Sequence, residues 1–320
     1  MIDFTNCEEL PNNYGGSEQK KKLIYNGEAY LVKFPDPVRQ KNNPLSYMNN
    51  QFSEYVGCRI FESVGIPVQE TLLGTYREST GKQKIVVACK DFTSPSHALH
   101  EFSWVANSTT TLDHRAEATL EDVYAVIEQN TLITHKQETK DSFWDMFVVD
   151  TLISNNDRHL NNWGFLDSDD GLTFSPVYDC GSCLHALMDD ESCRNSLSND
   201  TLFKNDTYNV YSAYRYNGKR INCADFFKAP IAPLEAAIKR IVPRIDMQKI
   251  QEIIENTPYM SDVRKEFLFK SVALRKELIL GRALKRCGRE SFDDFFKDIS
   301  APQSHASISQ PAVSRDEIER

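Results

Sequence analysis

No apolar run in this chain of 320 residues is long enough to cross a membrane. The most apolar stretch, FWDMFVVDTLI at 143–153, is interrupted by two aspartates and falls far short of the roughly 18 residues a span requires. An apolar targeting core is missing as well. The first residues, MIDFTNCEEL, are acidic, so a Sec-type signal peptide is excluded. The expected place of work is the cytoplasm of the producing cell, with export by a route that needs no cleaved signal as the alternative. Positive charge is in deficit: 37 Lys and Arg against 46 Asp and Glu leave a net charge of −9. That is the wrong sign for a dedicated nucleic-acid binder, whose affinity rests on neutralising phosphates. A disulfide framework is lacking too. The eight cysteines, at 7, 58, 89, 180, 183, 193, 223 and 287, are scattered through core-like segments of a large chain, which reads as reduced thiols. There is no internal repeat. What is present is a composition of 40% hydrophobic and 26% charged residues, enough for a full core. The length suggests two domains or one domain in two lobes.

Local signals order the chain. The segment LIYNGEAYLVKF alternates on both sides of Asn26-Gly27, a pair that tolerates positive φ at both turn positions, which predicts a hairpin. Phe52, Val56, Ile60 and Val64 form a helical stripe, and Gly65 offers a C-terminal stop. TLLGTY and KIVVAC read as two further strands, so the first hundred residues predict β-β-α-β-β. Residues 93–118 are polar and read as a loop with a short helix. Thr119 and Asp122 form a capping box that opens the helix TLEDVYAVIEQN. Residues 140–153 are apolar on nearly every side, which predicts a buried helix. From about 221 to 287 the pattern is helical, and 291–320 is expected to be a disordered tail.

The informative stretch is Asn155 to Gly181. Asp157 is followed by Asn162, then by a strand-turn-strand, then by Asp179-Cys180-Gly181. This is the order a phosphotransferase needs. The first aspartate must reach an acceptor hydroxyl. The asparagine turns its carbonyl oxygen to Mg²⁺ from the same loop, and the hairpin brings a second carboxylate to the metal. Asp, Asn and Gly also mark ordinary turns. The joint pattern is set apart by the buried helix before it and by the parts upstream. Lys33 ends the strand AYLVKF, inward-facing by alternation with Leu31, where a lysine would hold the α- and β-phosphates. Glu54 lies in the next helix as its acidic partner. Gly15, Gly16 and Ser17, with Lys20 just after them, precede the hairpin where backbone N–H groups can approach phosphate. Cys89 to Phe92, including Asp91, falls where the backbone of an inter-lobe hinge would meet adenine.

At this point the chain resembles a family. NNDRHLNN at 155–162, VYDCG at 177–181, YGGSEQKK at 14–21 and YLVKF at 30–34 are similar to HipA-type bacterial serine/threonine kinases. The likeness is greatest to the short CtkA-type members, which lack the N-terminal subdomain of HipA toxins, and it covers roughly residues 1–290. The resemblance implies an α+β fold in two lobes, protein-kinase-like, with a β-rich N-lobe over 1–92 and a mainly helical C-lobe over 93–290. It implies Asp157 as catalytic base, Asn162 and Asp179 as Mg²⁺ ligands (Mn²⁺ as the alternative ion) and Lys33 on ATP. It also implies phosphorylation of Ser or Thr on a protein or peptide, often on the kinase itself. Asn13 stands where HipA toxins carry a regulatory serine, so self-inactivation through that serine does not carry over, nor does an antitoxin partnership.

Rival readings remain at this stage. Phosphoinositide kinases share Asp-Arg-His-x-x-Asn, but residues 182–200 hold four acids and one arginine, the wrong sign for a phosphorylated headgroup. Two like charges about 6 Å apart repel by about 3 kcal/mol at an effective dielectric near 20. The sign suits a basic or neutral peptide. A kinase scaffold acting only by binding, as an effector or toxin, has no need of the whole Lys33, Asp157, Asn162 and Asp179 set. Cys180, Cys183, His185 and Cys193 include a zinc-ligand spacing, but Cys180 lies inside the Asp-x-Gly motif, so zinc is not expected. His159 reads as a brace of the catalytic loop rather than a base. Ser182, Ser192, Ser196 and Ser198 are candidate autophosphorylation sites.

Overall fold

The computed structural model describes residues 2–11, 19–35, 49–109 and 118–287. Gly15, Gly16, Ser17, Asn13 and the expected tail at 291–320 lie outside the described residues. The N-terminal part is a five-stranded antiparallel sheet of β1 (Glu8–Leu10), β2 (Lys20–Tyr25), β3 (Glu28–Lys33), β4 (Thr71–Arg77) and β5 (Gln83–Lys90), in the order β1-β2-β3-β5-β4. The hairpin between β2 and β3 turns at Asn26 and Gly27, with φ of 51° and 82°. Between β3 and β4 runs α1 (Asn50–Ser63), ended by Gly65 at φ +79°. Alternation sorts the strand side chains between two faces. Tyr30, Val32, Val86 and Ala88 join Leu23, Phe34 and Phe4 in a small cluster on one face. Leu73, Val87 and Cys89 point to the other, against Phe52, Val56 and Ile60 of α1.

After Lys90 come β6 (Leu99–Glu101), α2 (Phe102–Thr109), α3 (Leu120–Gln129) and α4 (Lys136–Ile153). The capping box on α3 is present, with Thr119 and Asp122 each accepting from the other's backbone N–H. Helix α4 is the spine of this part, with Phe143, Trp144, Met146, Phe147, Val148, Val149, Leu152 and Ile153 all buried. A hairpin of β7 (Gly164–Ser168) and β8 (Gly171–Phe174) pairs with β6 in a second sheet. Then follow α5 (Asp190–Leu197), α6 (Asp200–Tyr208), the hairpin β9 (Tyr211–Tyr216) and β10 (Lys219–Asn222), and the helices α7 (Cys223–Phe226), α8 (Ala232–Ile241), α9 (Met247–Glu255) and α10 (Asp262–Arg275). A wide helical turn at Lys276–Gly281 carries α10 into α11 (Arg282–Arg286).

Several elements go beyond the sequence expectation. The 182–200 stretch contains the whole of α5, with Asp189 and Glu191 exposed at its start. Asp189 caps α5 by accepting from Ser192 N–H, and Asp190 pairs with buried Arg264 at 3.2 Å. Acids in a first helical turn answer the partial positive charge of the unpaired N–H groups there. Ser196, one of the candidate autophosphorylation sites, is fully buried on that helix. The β9–β10 hairpin turns at Asn217-Gly218 with φ of 49° and 72°, the same Asn-Gly signal as the first hairpin. Among the described residues no helix is long and apolar enough to cross a membrane.

Candidate active site

The chain brings its five principal candidates into one cleft between the sheet and the helical part. Lys33, at the end of β3, is buried and donates to Glu54 Oε2 at 2.8 Å and to Asp179 Oδ1 at 2.9 Å. Glu54, fully buried on α1, also accepts the Cys180 backbone N–H on Oε1 at 2.9 Å. One carboxylate thus ties the sheet, α1 and the Asp-x-Gly motif together. Buried charges persist only when paired and hydrogen-bonded in this way. Asp179 sits at φ 56°, a left-handed conformation uncommon outside glycine. Burial pushes its carboxyl up, but Lys33 beside it, helped by Lys20 and Arg158, outweighs this and holds it at about 2. Lys20 lies directly across from Lys33 on β2.

The loop after α4 carries Asp157 and Asn162. Asn162 Nδ2 donates to the Asp157 carbonyl at 2.8 Å, which leaves Asn162 Oδ1 to face outward from that bond. Asp157 keeps its carboxylate partly open, with Oδ2 accepting from Ser182 Oγ at 3.1 Å. Asn162 Oδ1 and the ionised Asp179 carboxylate are hard oxygen donors of the kind Mg²⁺ takes. Among the described residues no cluster of three or more His, Cys, Asp or Glu side chains is placed to hold a metal. Such an ion therefore fits as one shared with phosphate and water, which is how Mg²⁺ is ordinarily held at phosphates.

The brace of this loop is Arg158, a residue the sequence reading passed over. It is buried and pairs with Asp150 of α4, Nε at 2.9 Å and Nη2 at 3.1 Å. Its Nη1 donates to the carbonyls of Asn162, Tyr178 and Asp179. Asn155 adds a bond from Nδ2 to Asp150 at 3.0 Å and accepts Asp157 N–H on Oδ1. His159 adds to the bracing through its backbone, donating to the Asp157 carbonyl at 2.8 Å and accepting from Asn162 N–H at 2.9 Å. Its side chain is 49% exposed and lies 3.9 Å from Asp157, and its ring accepts only a long bond from Asn161 N–H. The adjacent arginine does the bracing with its side chain because its planar fork satisfies one carboxylate and several carbonyls at once.

At the proposed hinge, Cys89 pairs with both Leu31 and Thr71 inside the sheet, and its side chain is buried. The Asp91 carboxylate is committed to Lys22 at 2.8 Å and to Thr93 N and Oγ1. The Phe92 ring packs 6.0 Å from Tyr178 on the far side of the cleft. The thiols once weighed as zinc ligands have other neighbours. Cys180 Sγ accepts from Arg158, Cys183 Sγ donates to the Ser53 carbonyl at 3.3 Å, and His185 accepts from Arg275.

Comparison with known proteins gives the family and the fold. Residues 13–257 match the HipA-like C-terminal domain family. The serine/threonine-protein kinase CtkA of Helicobacter pylori is 44% identical over 293 residues, 89% of this chain and 88% of that protein. The crystal structure of a Helicobacter pylori proinflammatory kinase CtkA superposes with a TM-score of 0.80 at 42% identity, covering 89% of this chain and 97% of that one. A HipA from Shewanella oneidensis, solved with HipB and operator DNA, gives a TM-score of 0.50 at 15% identity over 87% of this chain and 67% of its own, a likeness of fold alone.

Proposed function

From the premise that the chain belongs to the HipA-like C-terminal domain family and has the α+β, two-lobed, kinase-like fold, we propose that it is an ATP- and Mg²⁺-dependent serine/threonine protein kinase, acting on a protein or peptide and on itself. The observation that carries this reading is Lys33 bridging Glu54 and Asp179, three residues from three separate segments, beside a loop that presents Asp157 and Asn162. ATP binds between the lobes, which meet near residue 92, its adenine at the end of the hinge beside Phe92 and its phosphates against Lys33 and Lys20, with Gly15, Gly16 and Ser17 as the further phosphate contacts that the family resemblance implies. Asn162 and Asp179 hold Mg²⁺, or Mn²⁺ in its place, which when bound supplies positive charge against the phosphate oxygens. Asp157 orients the acceptor hydroxyl and takes its proton as the bond to the γ-phosphorus forms, while the bond to the β-phosphate oxygen breaks and ADP leaves. Positioning and electrostatics provide most of the rate. The eight free thiols, six of them buried, suit a reducing cytoplasm.

Purified protein given [γ-³²P]ATP with Mg²⁺ should label itself and a basic protein such as myelin basic protein. The Asp157→Ala variant should lose about 10²–10⁴-fold in rate while still binding ATP. Labelling undiminished by Asp157→Ala would refute the assignment. Incorporation into phosphoinositide vesicles offered in parallel, with none into protein, would make it a lipid kinase. No incorporation anywhere would leave a scaffold that acts by binding.

A further inference from the structure

The Asp157 carboxylate has Ser182 bonded to its Oδ2, while the His159 ring stands off from Oδ1 at 3.9 Å. The loop's backbone around it is fixed: Asp157 N–H meets Asn155 Oδ1, and its carbonyl accepts from Asn162 Nδ2 and His159 N–H. Those bonds leave the side-chain torsions free. Among the described residues the hydrogen-bond donor to the carboxylate is Ser182 Oγ, 3.1 Å from Oδ2. Ser182 belongs to a tight turn directly after the Asp-x-Gly motif. Cys180 N–H is bound to Glu54, Cys183 N–H closes the turn on the Cys180 carbonyl at 3.1 Å, and Leu184 N–H docks on the Ile153 carbonyl at 2.8 Å. Gly181 within it lies so near Glu54 that an added Cβ would stand 3.1 Å from Oε2. A hydroxyl on so constrained a turn holds its partner at a fixed place.

We propose that Ser182 is a positioning residue: its hydroxyl pins Oδ2 of Asp157 so that Oδ1 faces the acceptor hydroxyl, and it couples that orientation to the seating of Asp179. This rests on the kinase reading above. Two other roles for the same hydroxyl are disfavoured by the geometry. As a stand-in for substrate it would block the base, yet it meets Oδ2 alone, and 41% of the Asp157 side chain stays exposed. As an internal acceptor it would have to travel to the phosphate, and the turn is held at both ends.

The test is steady-state kinetics of Ser182→Ala, Ser182→Thr and Ser182→Cys in the full chain, with [γ-³²P]ATP, Mg²⁺ and myelin basic protein. Ser182→Ala should lower kcat by about 10- to 100-fold with the KM for ATP unchanged, the scale expected when a reacting group is misplaced by about 1 Å. Ser182→Thr, which keeps the hydroxyl, should restore most of kcat. Ser182→Cys, nearly isosteric with a poor donor, should fall between and serves if the alanine variant melts early. A Ser182→Ala kcat equal to wild type, a raised kcat, an equal loss in ATP affinity, or phosphate mapped to Ser182 itself would each overturn the proposal. Inactive wild-type protein would instead remove the kinase reading, and this inference with it.

Discussion

Arg158 and His185 show how differently two basic side chains can be used. Arg158 meets a carboxylate and stays charged, and its carbonyl bonds fix the Asp157–Asn162 loop against the Asp179-Cys180-Gly181 segment. His185 meets another cation. Arg275 Nη1 donates to its Nε2 at 3.2 Å, Arg264 is close, and Phe267 presents its ring at a 5.2 Å centroid distance. Burial first, then the two arginines, push the imidazole down to about 3 from 6.5. The folded protein keeps His185 neutral while the unfolded chain protonates it below 6.5, so between those values the unfolded state binds more protons and stability rises with pH. The contribution is whole above pH 6.5 and drains away as the pH falls toward 3. Unfolding free energies from urea titrations down that range should decline with a slope of at most about 1.4 kcal/mol per pH unit from this group. His185→Gln should flatten the decline. A variant with the same slope as wild type would show that His185 is not its source.

Among the elements, α1 is the one whose fit matters to the site, because Glu54 rides on it. Gly57, in its middle, faces the metal motif so closely that an added Cβ would lie 2.9 Å from both Cys180 Cβ and Cys183 Sγ. Alanine gains about 1 kcal/mol of helix propensity over glycine. Overpacking of this kind costs about 1–3 kcal/mol, and the second effect should win. Gly57→Ala is therefore expected to lower the urea midpoint and to reduce labelling, since a displaced α1 stretches the 2.9 Å bond from Cys180 N–H to Glu54. Unchanged stability and activity would mean that α1 has room to shift. The elements legible in sequence were those written locally: the Asn26-Gly27 hairpin, the Thr119 box and the all-round apolar α4. The Asn217-Gly218 hairpin carried the same signal and was overlooked. Strands of three residues such as β1 and β6 exist only through their partners, and polar α5 and α6 have weak stripes, so neither kind declares itself. The same division holds in the cleft. The spacing of Asp157, Asn162 and Asp179 could be read, whereas the bracing by Arg158 and the reach of Ser182 to Asp157 are tertiary facts that no spacing encodes.

At the scale of the whole molecule, the two lobes share a core. The cluster that holds Phe52, Val56, Ile60 and Val64 of α1, with Leu73, Val87 and Cys89 of the sheet, runs on without a break into Ile153, Val177, Ile250 and Ile254. The lobes also exchange backbone bonds, Gln69 N–H to the Val177 carbonyl at 2.8 Å and Val177 N–H to the Pro67 carbonyl at 2.9 Å. Among the described residues the opposite face of the sheet has a separate cluster, which includes Phe4. A continuous core predicts one cooperative transition, with calorimetric and van't Hoff enthalpies in agreement. It also predicts that residues 1–92 made alone are unfolded by circular dichroism. Two resolved transitions, or a folded fragment, would show that the lobes are independent.

Arg275 extends this interdependence into the order of synthesis. Its Nε donates at 2.7 Å to the Leu152 carbonyl, where α4 hands over to the catalytic loop, and its Nη1 reaches His185 and the Thr207 carbonyl. Lys33 and Glu54 leave the ribosome early, Asp179 much later, and this last anchor later still. A nascent chain therefore carries its lysine and glutamate through most of translation without a working centre. Phosphoryl transfer is expected only once nearly the whole message has been read, and a product truncated before Arg275 should be inert however complete its N-terminal sheet is.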